Sequence, residues 1–500
     1  MYTAVLTRFR KVSRLAGALA LLTLPVAAQT PSLTTLLSFP GGADGEYPSA
    51  GVIFGANGAL FGTTSYGGNQ GCGGQGCGIV FELKPGTPWT QSVLYTFHGG
   101  ADGGVPTASL TRGSGGVFYG TTFAGGATGN GTVFEIAPPK VQGDSWTEKV
   151  LYSFAAGVAI GTVNVSGTSV TWVSGTPFVT GTAWNGVAVN IAGSTFTIAS
   201  VASSTSLTLT EPVVNAQMGV SYGVDAAPPG PWAGWPDGSG PLGSVMLLAN
   251  GNIYGTTSAG GSAGAGAVFE LVPPTDGTGP WTETVIYSFQ AGKTGTKDGA
   301  NPQSGLVATK GNLYGTTCCG AAGGSVYRLS PGKNGTWTET PLIAFANYAQ
   351  GDGPIGALAI SAAGVLYGTT KAGGKNGGGI VFSLTPPTAS GKPYTLTTIH
   401  AFTGGLDGGA PYGNTLLAPN GALYITVTAG CEYGVGGVIE FTPPAGGTGA
   451  WTEDILYSFT GGSDGSQPVA GVIEGTDKDF YGTTNLGGTG NYGTVFELVP

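Results

Sequence analysis

WTEDILYSFTGGSDGSQPVAGVIEGTDKDFYGTTNLGGTGNYGTVFELVP, running from Trp451 to Pro500, holds one full copy of a phrase that fills most of the chain. WTEDILYSF alternates, with Trp451, Glu453, Ile455, Tyr457 and Phe459 on one face and Thr452, Leu456 and Ser458 on the other. AGVIEGT, FYGTT and TVFELVP follow as three further strand-like segments, broken by Lys478-Asp479 and by the glycine-rich NLGGTGNYG. The Tyr-Gly-Thr-Thr word, or a near copy, starts at Phe61, Tyr119, Tyr254, Tyr314, Tyr367, Tyr424 and Tyr481. Its spacing stays near 57 residues except for one gap of 135. That period is too long for most solenoids and suits a propeller blade of four short strands.

Outside the leader, the first phrase met is TTLLSF (Thr34 to Phe39), a fourth-strand phrase, and the last is a third-strand phrase. The expected fold is therefore all-β: a seven-bladed β-propeller closed by an N-terminal strand that completes the last blade. The long gap predicts a small inserted β-domain over residues 158–227, with short alternating segments such as TSVTWVS and STFTIASV. A barrel or sandwich is expected there, between propeller segments 29–157 and 228–500. The insertion occupies a fourth-to-first strand connection, on the same rim as the second-to-third strand loops.

Glycine is abundant (96 residues) but lacks a period of three, which excludes collagen. With 41% apolar and 10% aromatic residues the chain can bury a large core. Arg8, Arg10, Lys11 and Arg14 precede an apolar run that ends in Val26-Ala27-Ala28, so residues 1–28 read as a secretory signal peptide. Its removal takes the formal net charge from −9 to −13, which argues against nucleic acid as a partner. No later apolar segment is long enough to span a bilayer. The expectation is a secreted monomer, extracellular or periplasmic.

Cys72 and Cys77 share the loop GCGGQGCG and predict a local disulfide in an oxidising compartment. Their spacing is near that of zinc ligands, yet the repeat offers no second cysteine pair. A loop staple is preferred over a metal site, with Cys318, Cys319 and Cys431 as free thiols.

The phrases LYSFxGGxDGxxPxxG, LYGTTxxGG and GTVFEL resemble the GloVer tandem-repeat family of secreted bacterial proteins, over Thr34 to Pro500 outside the insertion. The resemblance implies export and a repeat architecture. The family has no settled activity, so no catalytic residue is implied.

The most regular charged position is the rim-turn aspartate: Asp44, Asp102, Asp237, Asp298, Asp352, Asp407 and Asp464. Two readings compete, a carboxylate ring for Ca²⁺ or sugar hydroxyls, and an Asx-type turn. Calcium takes six to eight oxygens, and one carboxylate per repeat falls short, so the turn is preferred and no cofactor is expected beyond a candidate Ca²⁺. The repeated threonines and glutamates read as scaffold. His98 and His400 are the only histidines, leaving few ways to build a Ser-His-Asp site. What varies is the second-to-third strand loop, where Tyr66, Phe123, Lys371, Tyr433 and Tyr492 are the expected ligand contacts. The function expected is non-catalytic binding of an extracellular glycan or surface protein. The alternatives are a polysaccharide-acting hydrolase or lyase using rim carboxylates and a structural envelope or matrix protein.

Overall fold

Each Tyr-Gly-Thr-Thr word lies on the second strand of a four-stranded antiparallel sheet, and the sheet is the same in every repeat. The architecture comes from a computed structural model that describes residues 30–500 apart from 142, 155–158, 176–187, 192–193, 225–236, 276, 278, 292–297, 321–322, 390 and 448. The leader expected over residues 1–28 lies outside the described residues. In repeat 1 the strands are Ile53–Phe54, Leu60–Thr64, Ile79–Lys84 and Thr90–Thr96, paired in chain order. Repeats 2 to 6 keep that order over residues 111–153, 246–288, 307–344, 359–401 and 416–458, and in repeat 6 Gly409–Pro411 adds a fifth strand. Repeat 7 contains Ile473–Glu474, Phe480–Thr484 and Thr494–Val499, and its fourth place is taken by Ser32–Ser38. That strand runs antiparallel to Thr494–Val499, from Ser32 opposite Val499 to Ser38 opposite Thr494.

The fold is all-β and β-propeller-like. Among the described residues no α-helix occurs and no sheet closes on itself. The insertion forms one further sheet from Ala159–Gly175, Ala188–Ile191, Ser194–Ser203 and Ser206–Val224, the last of which pairs with all three others. It has its own core, built on Val163, Ile191, Ile198 and Leu207.

The glycine of each word makes room for an aromatic ring. Gly62, Gly120, Gly255, Gly315, Gly368 and Gly482 sit opposite Phe81, Phe134, Phe269, Tyr327, Phe382 and Phe496 on the third strand. A Cβ on Gly120 would lie 2.5 Å from the Phe134 ring, closer than any relaxed packing allows. Repeat 6 departs from the word at this position, with Ile425 opposite Ile439. The small residue has grown and the large one has shrunk, so the pair still fills the space.

The two threonines have different tasks. The first reaches the next repeat: its hydroxyl donates to a backbone carbonyl from Thr63 to Ala108, Thr121 to Gly243, Thr256 to Ser304, Thr316 to Gly356 and Thr426 to Ala470. Thr483 of repeat 7 donates to Ala50 of repeat 1 at 2.9 Å. The second donates within its own loop, as from Thr64 to the Tyr66 carbonyl and from Thr484 to that of Leu486. The cores lie between consecutive sheets. Phe97 packs with Phe134, Phe154 with Phe269, and Phe459 with Phe496. Phe39 packs with Phe81, joining the strand that completes repeat 7 to repeat 1.

The Ile425–Ile439 exchange generates a test. Gly120→Ile should lower the thermal midpoint sharply, by the equivalent of about 3 kcal/mol, because the side chain collides with Phe134. Gly120→Ile combined with Phe134→Ile should recover at least half of that loss. A double variant no more stable than the single one, measured by urea unfolding, would refute volume compensation.

Candidate functional site

The rim aspartates are built into turns. Asp102 accepts from the Tyr95 hydroxyl at 3.1 Å and from the His98 backbone N–H at 2.8 Å. Asp298 and Asp464 repeat this, with Tyr287 and Tyr457 each at 3.1 Å and the Gln290 and Thr460 N–H groups at 2.6 and 2.7 Å. Tyr152 donates to Asp237 at 3.0 Å across the whole insertion. In repeat 5 the tyrosine's place is taken by His400, whose Nε2 lies 3.2 Å from Asp407. Leu37 and Ile343 stand in the tyrosine's place before Asp44 and Asp352, and these two aspartates lack the clasp.

Each clasp also faces the next sheet. Burial, with Asp102 as charged neighbour, raises the Glu148 carboxyl to about 7, and Glu339 beside Asp298 is raised to about 7 in the same way. Glu283, nearly enclosed beside Asp237, is pushed well above the usual carboxylate range. Burial raises Glu453 as well, with His400 Nδ1 3.4 Å away working against it. One oxygen each of Glu148, Glu283 and Glu453 is buried without a hydrogen-bond partner. The facing residue is uncharged after the two unclasped aspartates, Gln91 after Asp44 and Leu396 after Asp352, and also after the clasped Asp464, where it is Leu33. The glutamates that sequence reasoning assigned to scaffold therefore share a proton-sensitive junction with the rim aspartates, a relation between repeats that no single repeat displays.

The aspartates do not gather round a common point. Among the described residues, one group of three metal-ligating side chains lies within reach of a single ion, Asp477, Asp479 and Glu497, and it includes no rim aspartate. The Tyr481 hydroxyl donates to Glu497 and lies 3.2 Å from Asp477 Oδ2.

What does converge is the segment after each rim turn. The residue following each turn proline contributes to a vestibule of about 300 Å³, with Ser49, Thr107, Gln303 and Asn485 as its polar members. Leu242, Ile355, Tyr412 and Val469 are the apolar members. Beneath lies a narrower space of about 110 Å³, walled by small residues such as Ala50, Ala108, Gly243 and Gly413. Glycine is required at the wall, since a Cβ on Gly356 would lie 2.4 Å from the Gly413 carbonyl. Ser49 donates to Asn485 Oδ1 at 3.2 Å and accepts from Ser65 at 2.9 Å. The residue before each proline is left-handed even where it is not glycine, as at Tyr47, Val105, Asn301, Ala410 and Gln467 (φ 49–58°). That strained turn aims the residue after the proline into the vestibule.

The loop residues predicted to meet a ligand are dispersed. Phe123 and Lys371 occupy the register position of Asn485, just after the second threonine, and Phe123 is 42% exposed. Tyr66 and Tyr492 instead pack edge-on against Tyr47, with centroids 6.0 and 5.7 Å away. Tyr433 is 53% exposed on the repeat 6 loop. Cys72 and Cys77 are joined by a disulfide. Cys318 and Cys319, expected as free thiols, are bonded to each other, while Cys431 is free and buried. Sequence reasoning passed over the vestibule, although the residue after each proline varies where its neighbours hardly change.

Fold and site together define a tandem-repeat protein of β-propeller-like architecture. The chain belongs to the Gloeobacter/Verrucomicrobia repeat family, whose pattern matches residues 22–196 and 233–396. No curated protein matches it in sequence. Among solved structures it is similar to a europium-containing methanol dehydrogenase (13% identity, 94% of this chain and 93% of that one, TM-score 0.42). It is also similar to an ancestral GH74 enzyme (12% identity, 89% and 72%, TM-score 0.36). A third is the sialidase of Trypanosoma rangeli in complex with the inhibitor DANA (10% identity, 94% and 59%, TM-score 0.33). None of the three bears on the chemistry of this chain.

The junction glutamates carry a pH dependence. A carboxyl whose folded pKa is raised binds a proton that the unfolded chain releases, so its stabilising effect is complete below about 4.5 and is lost as pH rises through about 7. The thermal midpoint should therefore fall between pH 5 and 8, and Glu148→Gln with Glu339→Gln should flatten that fall. An unchanged slope in the double variant would exclude these junctions as its source.

Proposed function

We propose that the seven sheets are the blades of a closed propeller, and that the protein is exported and binds an extracellular glycan without catalysis. Closure is supported by the pairing of Ser32–Ser38 with Thr494–Val499 and by the Thr483 to Ala50 bond. Further support comes from the contact of Pro48 with the Gly493 turn, which matches that of Pro106 with Gly78. The binding reading rests on one observation: the vestibule to which every repeat contributes is lined by hydroxyl, amide, aliphatic and phenol groups. Such a lining suits a ligand rich in hydroxyls with an apolar face, and supplies neither the acid nor the base that glycoside hydrolysis requires. The rim carboxylates serve the sheet junctions instead.

The test is a panel of neutral and acidic oligosaccharides titrated into the purified protein, with calcium and then with chelator. Selective binding, retained in chelator and without cleavage products, is the expected outcome. Cleavage of a bound oligosaccharide would favour the hydrolase reading. Absence of binding across the panel would refute a glycan ligand and leave a protein partner or a structural role.

A further inference from the structure

We infer that the vestibule takes the uncharged terminal sugar of a glycan, entered end-on, an assignment that rests on the glycan-binding reading above. Size is the first ground. A space of about 300 Å³ lies at the lower limit of small-molecule sites and suits one compact unit. The space of about 110 Å³ beneath it has room for a few waters and no passing chain. A chain that enters along this axis therefore seats its end there.

The walls beneath the vestibule are chemically closed as well. The carbonyls of Ala50, Ala108, Gly243 and Ser304 already accept threonine hydroxyls from the neighbouring repeat. Selectivity therefore falls to the side chains at the mouth.

Those side chains are unevenly arranged in repeat order. Ser49 and Thr107 come from repeats 1 and 2, and Asn485 joins them from repeat 7. Ile355, Tyr412 and Val469 come from repeats 5, 6 and 7 in succession, and Leu242 and Gln303 of repeats 3 and 4 lie between the two groups. A sugar has the same two-sided character, a hydroxyl-bearing edge and an apolar C–H face. Tyr412, 39% exposed, offers a ring to that face. On the polar side the Asn485 amide oxygen is held by Ser49 and the Gln303 amide donates to Asn301 Oδ1, which orients both amides at the mouth. The lining bears no charge, which selects a neutral sugar over a uronic or sialic acid.

The test uses calorimetric titration with linear hexamers of α- and β-linked glucose, mannose and xylose, with cyclic α- and β-glucans, which have no chain end, and with uronic acid and sialylated oligomers. Linear neutral oligomers should bind at least tenfold more tightly than cyclic ones of the same linkage. Tyr412→Ala and Gln303→Ala should each weaken binding tenfold or more, and Val469→Trp, which fills the mouth, should abolish it. Tyr433→Ala, on the outer loop, should leave it unchanged. Unaltered thermal midpoints would confirm that all four variants fold, and a midpoint drop in the alanine variants leaves Val469→Trp as the deciding one. Equal binding of cyclic and linear glucans, or loss confined to Tyr433→Ala, would overturn the end-on assignment while the glycan reading stands. A preference for acidic oligomers would overturn the neutral class. Failure of every oligosaccharide to bind would overturn the glycan reading and this assignment with it.

Discussion

The first threonine of each Tyr-Gly-Thr-Thr word donates to a carbonyl one repeat further on, and the rest of the molecule is arranged around that bond. A hydroxyl-to-carbonyl bond contributes only about 1 kcal/mol. Its importance lies in what must be true for it to form. The carbonyl belongs to the segment after a turn proline, so that segment has to lie against the neighbouring second strand. This close approach demands small residues along the wall, and the glycines at Gly356 and Gly413 follow from it. Thr369 marks the exception, its buried hydroxyl lacking a partner where repeat 5 meets repeat 6.

The aspartate clasps hold the rim turn that follows the fourth strand, in five of the seven repeats. Tyr152 and Asp237 are 85 residues apart in sequence and still meet as Tyr95 and Asp102 do across seven. Closing a longer loop costs little more than closing a short one, because the entropy grows only with the logarithm of length. A domain with its own core can therefore be carried in this connection while the clasp is kept.

The strands and turns of each repeat were legible in the sequence. The alternation of WTEDILYSF, the turn residues and the fourth-strand phrase near the N-terminus each have a counterpart among the strands, down to Ser32–Ser38 in the fourth place of repeat 7. Relations between repeats were not legible. The first threonine was read simply as scaffold, whereas its partner is some 45 residues away in the next sheet. Glu148 gave no sign of facing Asp102, because periodicity reports what recurs and is silent on which recurring groups touch. The Cys318–Cys319 bond was missed because adjacent cysteines seldom have the freedom to pair. The vestibule was overlooked for the converse reason, since attention went to the longest variable loops and away from single variable positions beside an invariant proline.

The strand that completes repeat 7 is nearly the first part of the described chain, and its partner is the last. Ser32 therefore finds Val499 only after all the sheets between them in sequence have emerged. Until then Thr494–Val499 is an unpaired sheet edge and Ser32–Ser38 an unpaired strand, each able to capture a foreign one. Contacts of such sequence separation are slow to form, because the loop must close before any pairing is gained. A chain of this design completes its last sheet late, and another molecule's free N-terminal strand can compete for that place. Crowding of nascent copies is thus the condition under which exchange of that strand between molecules would begin.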